Sequence, residues 1–174
     1  YENIHLDTTT SQNIAIIGEH KETTIINGNQ LESVIFFGTG VNSNAPFLSN
    51  FSITNGHALN GGGIAIDGCS PTLENLIIYN NVATNDGGGI WHNNNSEAII
   101  SNCFIYNNFA SYDAGGIDTH YSSPTITRCL IFNNEAFHGG GIRVTGGNPI
   151  INMNTIVNNI ASNDGGGIFF TTSS

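Results

Sequence analysis

Along the chain, aliphatic residues stand singly or in pairs between asparagine and glycine, and they return with a fixed phase. A glycine-rich tag ends in isoleucine at Ile64, Ile90, Ile117, Ile142 and Ile168, with spacings of 26, 27, 25 and 26 residues. A second tag precedes each one: Ile53-Thr-Asn-Gly56, Ile78-Tyr-Asn-Asn81, Ile105-Tyr-Asn-Asn108, Ile131-Phe-Asn-Asn134 and Ile156-Val-Asn-Asn159. Between the tags runs an alanine column, Ala58, Ala83, Ala110, Ala136 and Ala161, and ahead of them an aliphatic column, Leu48, Leu73, Ile100, Ile126 and Ile151. Pro46, Pro71, Pro124 and Pro149 open four of the five units. Two tags in phase over five copies define a structural repeat.

Paired-helix repeats are longer, about 33 to 47 residues, and the leucine pattern of horseshoe repeats is missing. Alternating stretches such as Gly63-Ile-Ala-Ile66 and Asn75-Leu-Ile-Ile78 predict short strands with Asn and Gly corners, three strands per unit. If each unit is one turn of a coil, equivalent positions stack about 4.8 Å apart, the spacing of hydrogen-bonded strands. The prediction is an all-β fold, a single-stranded parallel β-helix of 25–27 residues per turn. Stacked Ile and Ala then fill the interior, and stacked Asn can pass amide bonds between turns. Residues 1–45 carry strand-like pieces at Ile14–Ile17, Thr24–Ile26 and Val34–Phe37 and are read as irregular first turns, with residues 46–174 as the regular repeats of one domain. The pattern starts and stops in mid-repeat, which suggests a piece of a longer chain.

Composition agrees, with 27 Asn, 25 Ile and 22 Gly among 174 residues. The net charge is -10, with Lys21, Arg128 and Arg143 the only basic residues apart from histidine. Three scattered cations cannot make a phosphate-binding footprint, which argues against nucleic acid. No apolar run approaches the roughly 20 residues of a transmembrane helix.

These tags resemble those of the right-handed parallel β-helix repeat proteins, the pectate-lyase-like superfamily, over essentially the whole chain. Gly87-Gly-Gly-Ile90 and Ile78-Tyr-Asn-Asn81 are similar to the GGA-I and F-x-x-N tags of chlamydial polymorphic outer-membrane proteins, with Ile in place of Phe. The resemblance implies a right-handed coil and an extracellular or cell-surface module with a structural, adhesive or assembly role. An alternative is a polysaccharide lyase or glycoside hydrolase acting on acidic glycans. The Asn-Thr-Asp, Asp-Asp and Gly-His-Gly strings of polygalacturonase-like enzymes are absent.

Candidate chemistry falls in three columns. Beyond each tag isoleucine the outward positions are Ala65, Trp91, Asp118, Arg143 and Phe169, followed by Asp67, Asn93, His120, Thr145 and Thr171. Trp91, Asp118, His120, Arg143 and Phe169 offer an aromatic platform and titratable groups for a glycan, with Asp118, His120 and Arg143 as catalytic candidates; the simpler alternative is a surface ion pair between Asp118 and Arg143. Ahead of the tag, Asp86, Asp113 and Asp164, interrupted by His138, form an acidic column that calcium would relieve, unless these are ordinary turn residues. On the strand before the Asn pair, outward Ile77, Tyr79, Phe104, Tyr106, Leu130 and Phe132 predict an apolar contact patch, for another copy, another domain or a sugar.

Cys103 and Cys129 share one inward column and lie within disulfide reach, although two small buried hydrophobes is the plainer reading. Cys69 sits at a corner. Asn50-Phe-Ser52 and Asn94-Asn-Ser96 match the glycosylation sequon. Self-association, end to end or side by side, is expected from exposed strand edges and from the apolar patch.

Overall fold

The computed structural model describes residues 3–6, 14–38 and 46–171. All of its regular structure is strand, in four stacked parallel sheets. The regular part winds about five turns, each contributing one strand to every sheet. Following the chain from a proline, the aliphatic face carries Phe47–Ser49, Thr72–Glu74, Ile99–Ser101, Thr125–Thr127 and Ile150–Asn152. The asparagine face follows with Ser52–Thr54, Ile77–Tyr79, Phe104–Tyr106, Leu130–Phe132 and Thr155–Val157. Next comes the alanine face, His57–Ala58, Val82–Ala83, Phe109–Ala110, Glu135–His138 and Ile160–Asp164, and then the tag face, Ile64–Asp67, Ile90–Asn93, Ile117–His120, Ile142–Thr145 and Ile168–Thr171.

The sequence pattern predicts three strands per unit, and the structure has four. The alanine column is a strand of its own, only two residues long in three of the turns, too short to show an alternation. The segments Ile4–Leu6, Ala15–Ile17, Ile25–Asn27 and Ile35–Phe37 pair in parallel onto the same sheets, so the tag face stacks seven strands.

In-register pairing makes the repeat columns into core columns. Ile90 lies between Ile64 and Ile117, and Ile105 between Ile78 and Ile131, all fully buried. Leu48, Leu73, Ile100 and Ile126 do the same on the aliphatic face. The small alanine column packs as a separate buried row, Ala83, Ala110 and Ala136. At the corner entering the asparagine face the column runs Phe51, Leu76, Cys103, Cys129, all buried. All three cysteines are free thiols, and burial pushes Cys69 up to about 11.

Each asparagine of the Asn-Asn pair does a different job. The first, at Asn80, Asn107, Asn133 and Asn158, takes φ between 53 and 55°, the left-handed conformation that turns the corner. The second turns inward and forms a ladder: Asn81 Nδ2 donates to Asn108 Oδ1 at 3.0 Å, Asn108 to Asn134 at 3.0 Å, and Asn134 to Asn159 at 2.9 Å. Gly56 replaces the ladder residue in the first unit because there is no room, since a Cβ there would lie 1.7 Å from the Gly62 carbonyl oxygen.

The middle glycine of the tag sets the corner between the alanine and tag faces. A Cβ on Gly88 would lie 2.4 Å from the Phe109 carbonyl oxygen of the next turn, and one on Gly140 2.4 Å from that of Ile160. The first tag position needs positive φ, at Gly61, Gly87, Gly139 and Gly165, and Ala114 adopts it as well, with φ 51°. This bend folds the outer surface of the tag face toward that of the alanine face, leaving a concave corner along the coil. Among the described residues, no helix is long and apolar enough to cross a membrane.

Candidate functional site

The concave corner brings together two columns that are separate in sequence. Its tag wall is the outward column, which continues upward as His5, Phe36, Ala65, Trp91, Asp118, Arg143 and Phe169 in parallel register. The opposite wall is the position just ahead of the tag, Asn60, Asp86, Asp113, His138 and Asp164, where the Asp86 and Asp113 backbones bridge in parallel, as do those of Asp113 and His138. At the bottom, a Cβ on Gly87 would lie 2.8 Å from the Cβ of Trp91, and one on Gly139 2.8 Å from that of Arg143.

Outward pointing does not make these residues exposed. Asp118 is completely buried, so the expected surface ion pair with Arg143 is an interior one. Arg143 is the hub: Nη1 lies 2.8 Å from Asp113 Oδ2 and 3.4 Å from Asp118 Oδ1, and its side chain is 14% exposed. His138 extends the network, with Nδ1 3.1 Å from Asp113 Oδ1 and Nε2 3.7 Å from Asp164 Oδ2. Burial pushes the Asp118 carboxyl well above the usual range, Arg143 opposing. Burial and then the Asp113 charge push Asp86 up to about 6. Asp86 Oδ1, Asp118 Oδ2, Arg143 Nε and Trp91 Nε1 are buried without a hydrogen-bond partner.

Within the acidic column Asp113 thus meets the Arg143 guanidinium and a ring nitrogen of His138, while its charge still acts on Asp86. Among the described residues, no three His, Cys, Asp or Glu side chains converge as metal ligands. His120 stands further along its strand, half-buried, with its ring stacked on Tyr121 at 4.6 Å rather than joined to Asp118. Phe169 stacks on His138 at 5.3 Å, and Tyr112 and Phe137 complete an aromatic cluster around that imidazole.

Toward the start of the coil the corner opens into a groove of about 880 Å³, walled by Leu31, Glu32, Phe36, His57, Asn60 and Trp91 among others. Of these only Trp91 stood out in the sequence. Phe36 occupies the same column two turns earlier and could have been found by extending it through Ile35–Phe37; Leu31 and Glu32 come from the segment between Ile25–Asn27 and Ile35–Phe37, which carries neither an alanine strand nor a glycine tag.

The predicted apolar patch is assembled on the asparagine face, and it is partly covered. Tyr79, Tyr106 and Phe132 stack ring on ring at 5.4 and 4.7 Å. Ile77 is only 9% exposed, and Phe104 is 37% exposed beneath the Lys21 ammonium, 4.0 Å from its ring centre. Lys21 also donates to Asn75 Oδ1 at 2.9 Å, so the Glu19–Thr24 segment straps this end of the patch. Of the sequon asparagines, Asn50 accepts from Asn75 Nδ2 at 2.6 Å and Asn94 donates to Asp67.

A search of curated proteins and of solved structures finds no match to this chain. A family model described as right handed beta helix region matches residues 2–174. That span takes in all four stacked sheets and fixes the hand of the coil, and the chain belongs to the right-handed β-helix family.

Proposed function

We propose that the chain is a secreted or cell-surface β-helix module that holds a glycan along the concave corner between its alanine and tag faces. The observation that carries this reading is the groove ending at Trp91. It combines apolar surface from Leu31, Phe36 and Trp91 with amide, imidazole and carboxylate groups from Asn60, His57 and Glu32, the mixture that orients a polyhydroxylated ligand. The location outside the cell rests on the resemblance of the tags to those of surface passengers. The lyase or hydrolase alternative is weaker, because it asks Arg143 to meet an acidic sugar while Asp113 and Asp118 hold that side chain, and it asks a fully buried Asp118 to reach substrate.

Affinity electrophoresis through gels loaded with soluble polysaccharides tests the reading. The wild type should be retarded by at least one of them, and Trp91→Ala should run faster there, with affinity lower by about tenfold. Equal mobility of both proteins in every gel would remove the groove as a glycan site.

A further inference from the structure

We propose that Cys103 and Cys129 are a disulfide-forming pair, which ties the third and fourth regular turns together when the chain folds under oxidising conditions; this is independent of the glycan reading. The first support is register. Ser101 pairs with Thr127 and Phe104 with Leu130, so the two cysteines between them stack on adjacent turns in one inward column. Adjacent parallel strands lie about 4.8 Å apart, inside the roughly 4.4 to 6.8 Å that separates the Cα atoms of a disulfide. The backbone holds that spacing at the pair itself: Leu130 N donates to Cys103 O at 2.9 Å, and Cys129 N donates to Asn154 Oδ1 at 2.8 Å.

The sulfurs are near one another as well. Cys129 Sγ lies 3.7 Å from the carbonyl oxygen of Ile100, on the turn that carries Cys103. The two thiols hydrogen-bond to each other, and that bond from Cys103 holds Cys129 below the ordinary thiol range while burial pushes Cys103 well above it. Cys129 is therefore the attacking thiol. Cys69 has no such neighbour, because the stacking of Thr72, Ile99 and Thr125 puts Ser96 and Ser122 at the positions equivalent to it.

The oxidant is a small disulfide such as oxidised glutathione. The Cys129 thiolate attacks one of its sulfurs and one glutathione leaves; Cys103 then gives up its proton, attacks the Cys129 sulfur of the mixed disulfide and expels the second. Two protein thiols are oxidised to one disulfide, and one glutathione disulfide is reduced to two thiols. Cys103 is fully buried and Cys129 only 2% exposed, so the exchange runs while the turns close.

Refolding the whole chain from denaturant in a mixture of oxidised and reduced glutathione tests this, with thiols counted afterwards and linked peptides mapped by mass spectrometry. One free thiol, Cys69, and one peptide joining Cys103 to Cys129 are expected, and Cys69→Ser should keep the bond. The oxidised chain should melt about 5 to 10 °C above the same chain in reductant, a difference that Cys103→Ala and Cys129→Ala should each abolish. Exporting the chain to an oxidising periplasm and counting thiols there gives the same answer without a refolding step. Three free thiols in a chain with a native circular dichroism spectrum, or a bond that includes Cys69, would overturn the proposal.

Discussion

Asn81 is tied twice to Asn108 one turn further on: its Nδ2 and its backbone N–H both donate to Asn108 Oδ1, each at 3.0 Å. Asn108 returns the pattern to Asn134 and sends its own Nδ2 to the Ile78 carbonyl at 3.0 Å. Asn108→Ala should therefore strand several buried polar groups and cost about 2 to 4 kcal/mol in denaturant unfolding. The neighbouring Asn107→Gly should stay within about 1 kcal/mol of wild type, because that position needs only its positive φ. Similar losses at both positions would mean the ladder carries no special weight.

The tag glycines give a second contrast. Ala114 is held at φ 51°, where an L side chain is strained, and Ala114→Gly should stabilise by about 1 kcal/mol. Gly115→Ala should do the opposite and severely, since its Cβ would sit 2.5 Å from both the backbone nitrogen and the oxygen of Glu135. Thermal melts of the two variants, one residue apart, should move in opposite directions.

Stability should depend on pH through Asp86 and His92, which act with opposite signs. Asp86 rises from 3.8 to about 6 in the folded chain, so its contribution is full below 3.8 and lost as pH rises through about 6. Burial lowers His92, fully enclosed in the core with Nε2 unpartnered, from 6.5 to about 4; its contribution is full above 6.5 and lost as pH falls through about 4. Asp86→Asn should raise the melting free energy above neutrality by roughly 1 to 2 kcal/mol and leave it unchanged near the acid end. A gain of the same size at both ends would contradict the titration and point to a packing effect.

Side-by-side association of copies, if the aromatic stack on the asparagine face supports it, should be blocked by Tyr106→Lys, which sets a charge between Tyr79 and Phe132. Sedimentation velocity over a range of concentrations measures it. A wild type that remains monomeric throughout would retire that patch as a contact surface.

The columns were legible in the sequence because stacking in register copies one position onto the next, and so Ile53, Ile78, Ile105 and Ile131 declare their burial by repetition. The concavity was not. The alternation along Ile117–His120 marks Asp118 as pointing away from the interior, and it does, yet the bend at Gly115 and Gly116 turns that outside into an enclosed corner. A bend angle is set by backbone contacts between turns, which no periodicity reports. For the same reason Asp113 and Arg143, 30 positions apart and in different columns, gave no sign of their ion pair. The Lys21 strap was hidden by distance along the chain and by having no copy in later units.

The middle tag glycine, pressed against the carbonyl of the following turn, separates what this coil must keep from what it is free to vary. The four turns of Gly62, Gly88, Gly115 and Gly140 repeat the bend, while the residue displayed beside it changes from Ala65 to Trp91, Asp118 and Arg143. The corner thus works as a row of interchangeable single-residue slots on a fixed rail. Duplicating or deleting one whole unit would lengthen or shorten the row by one slot and leave the remaining slots in their order, so the binding surface can be edited one turn at a time without redesigning the core.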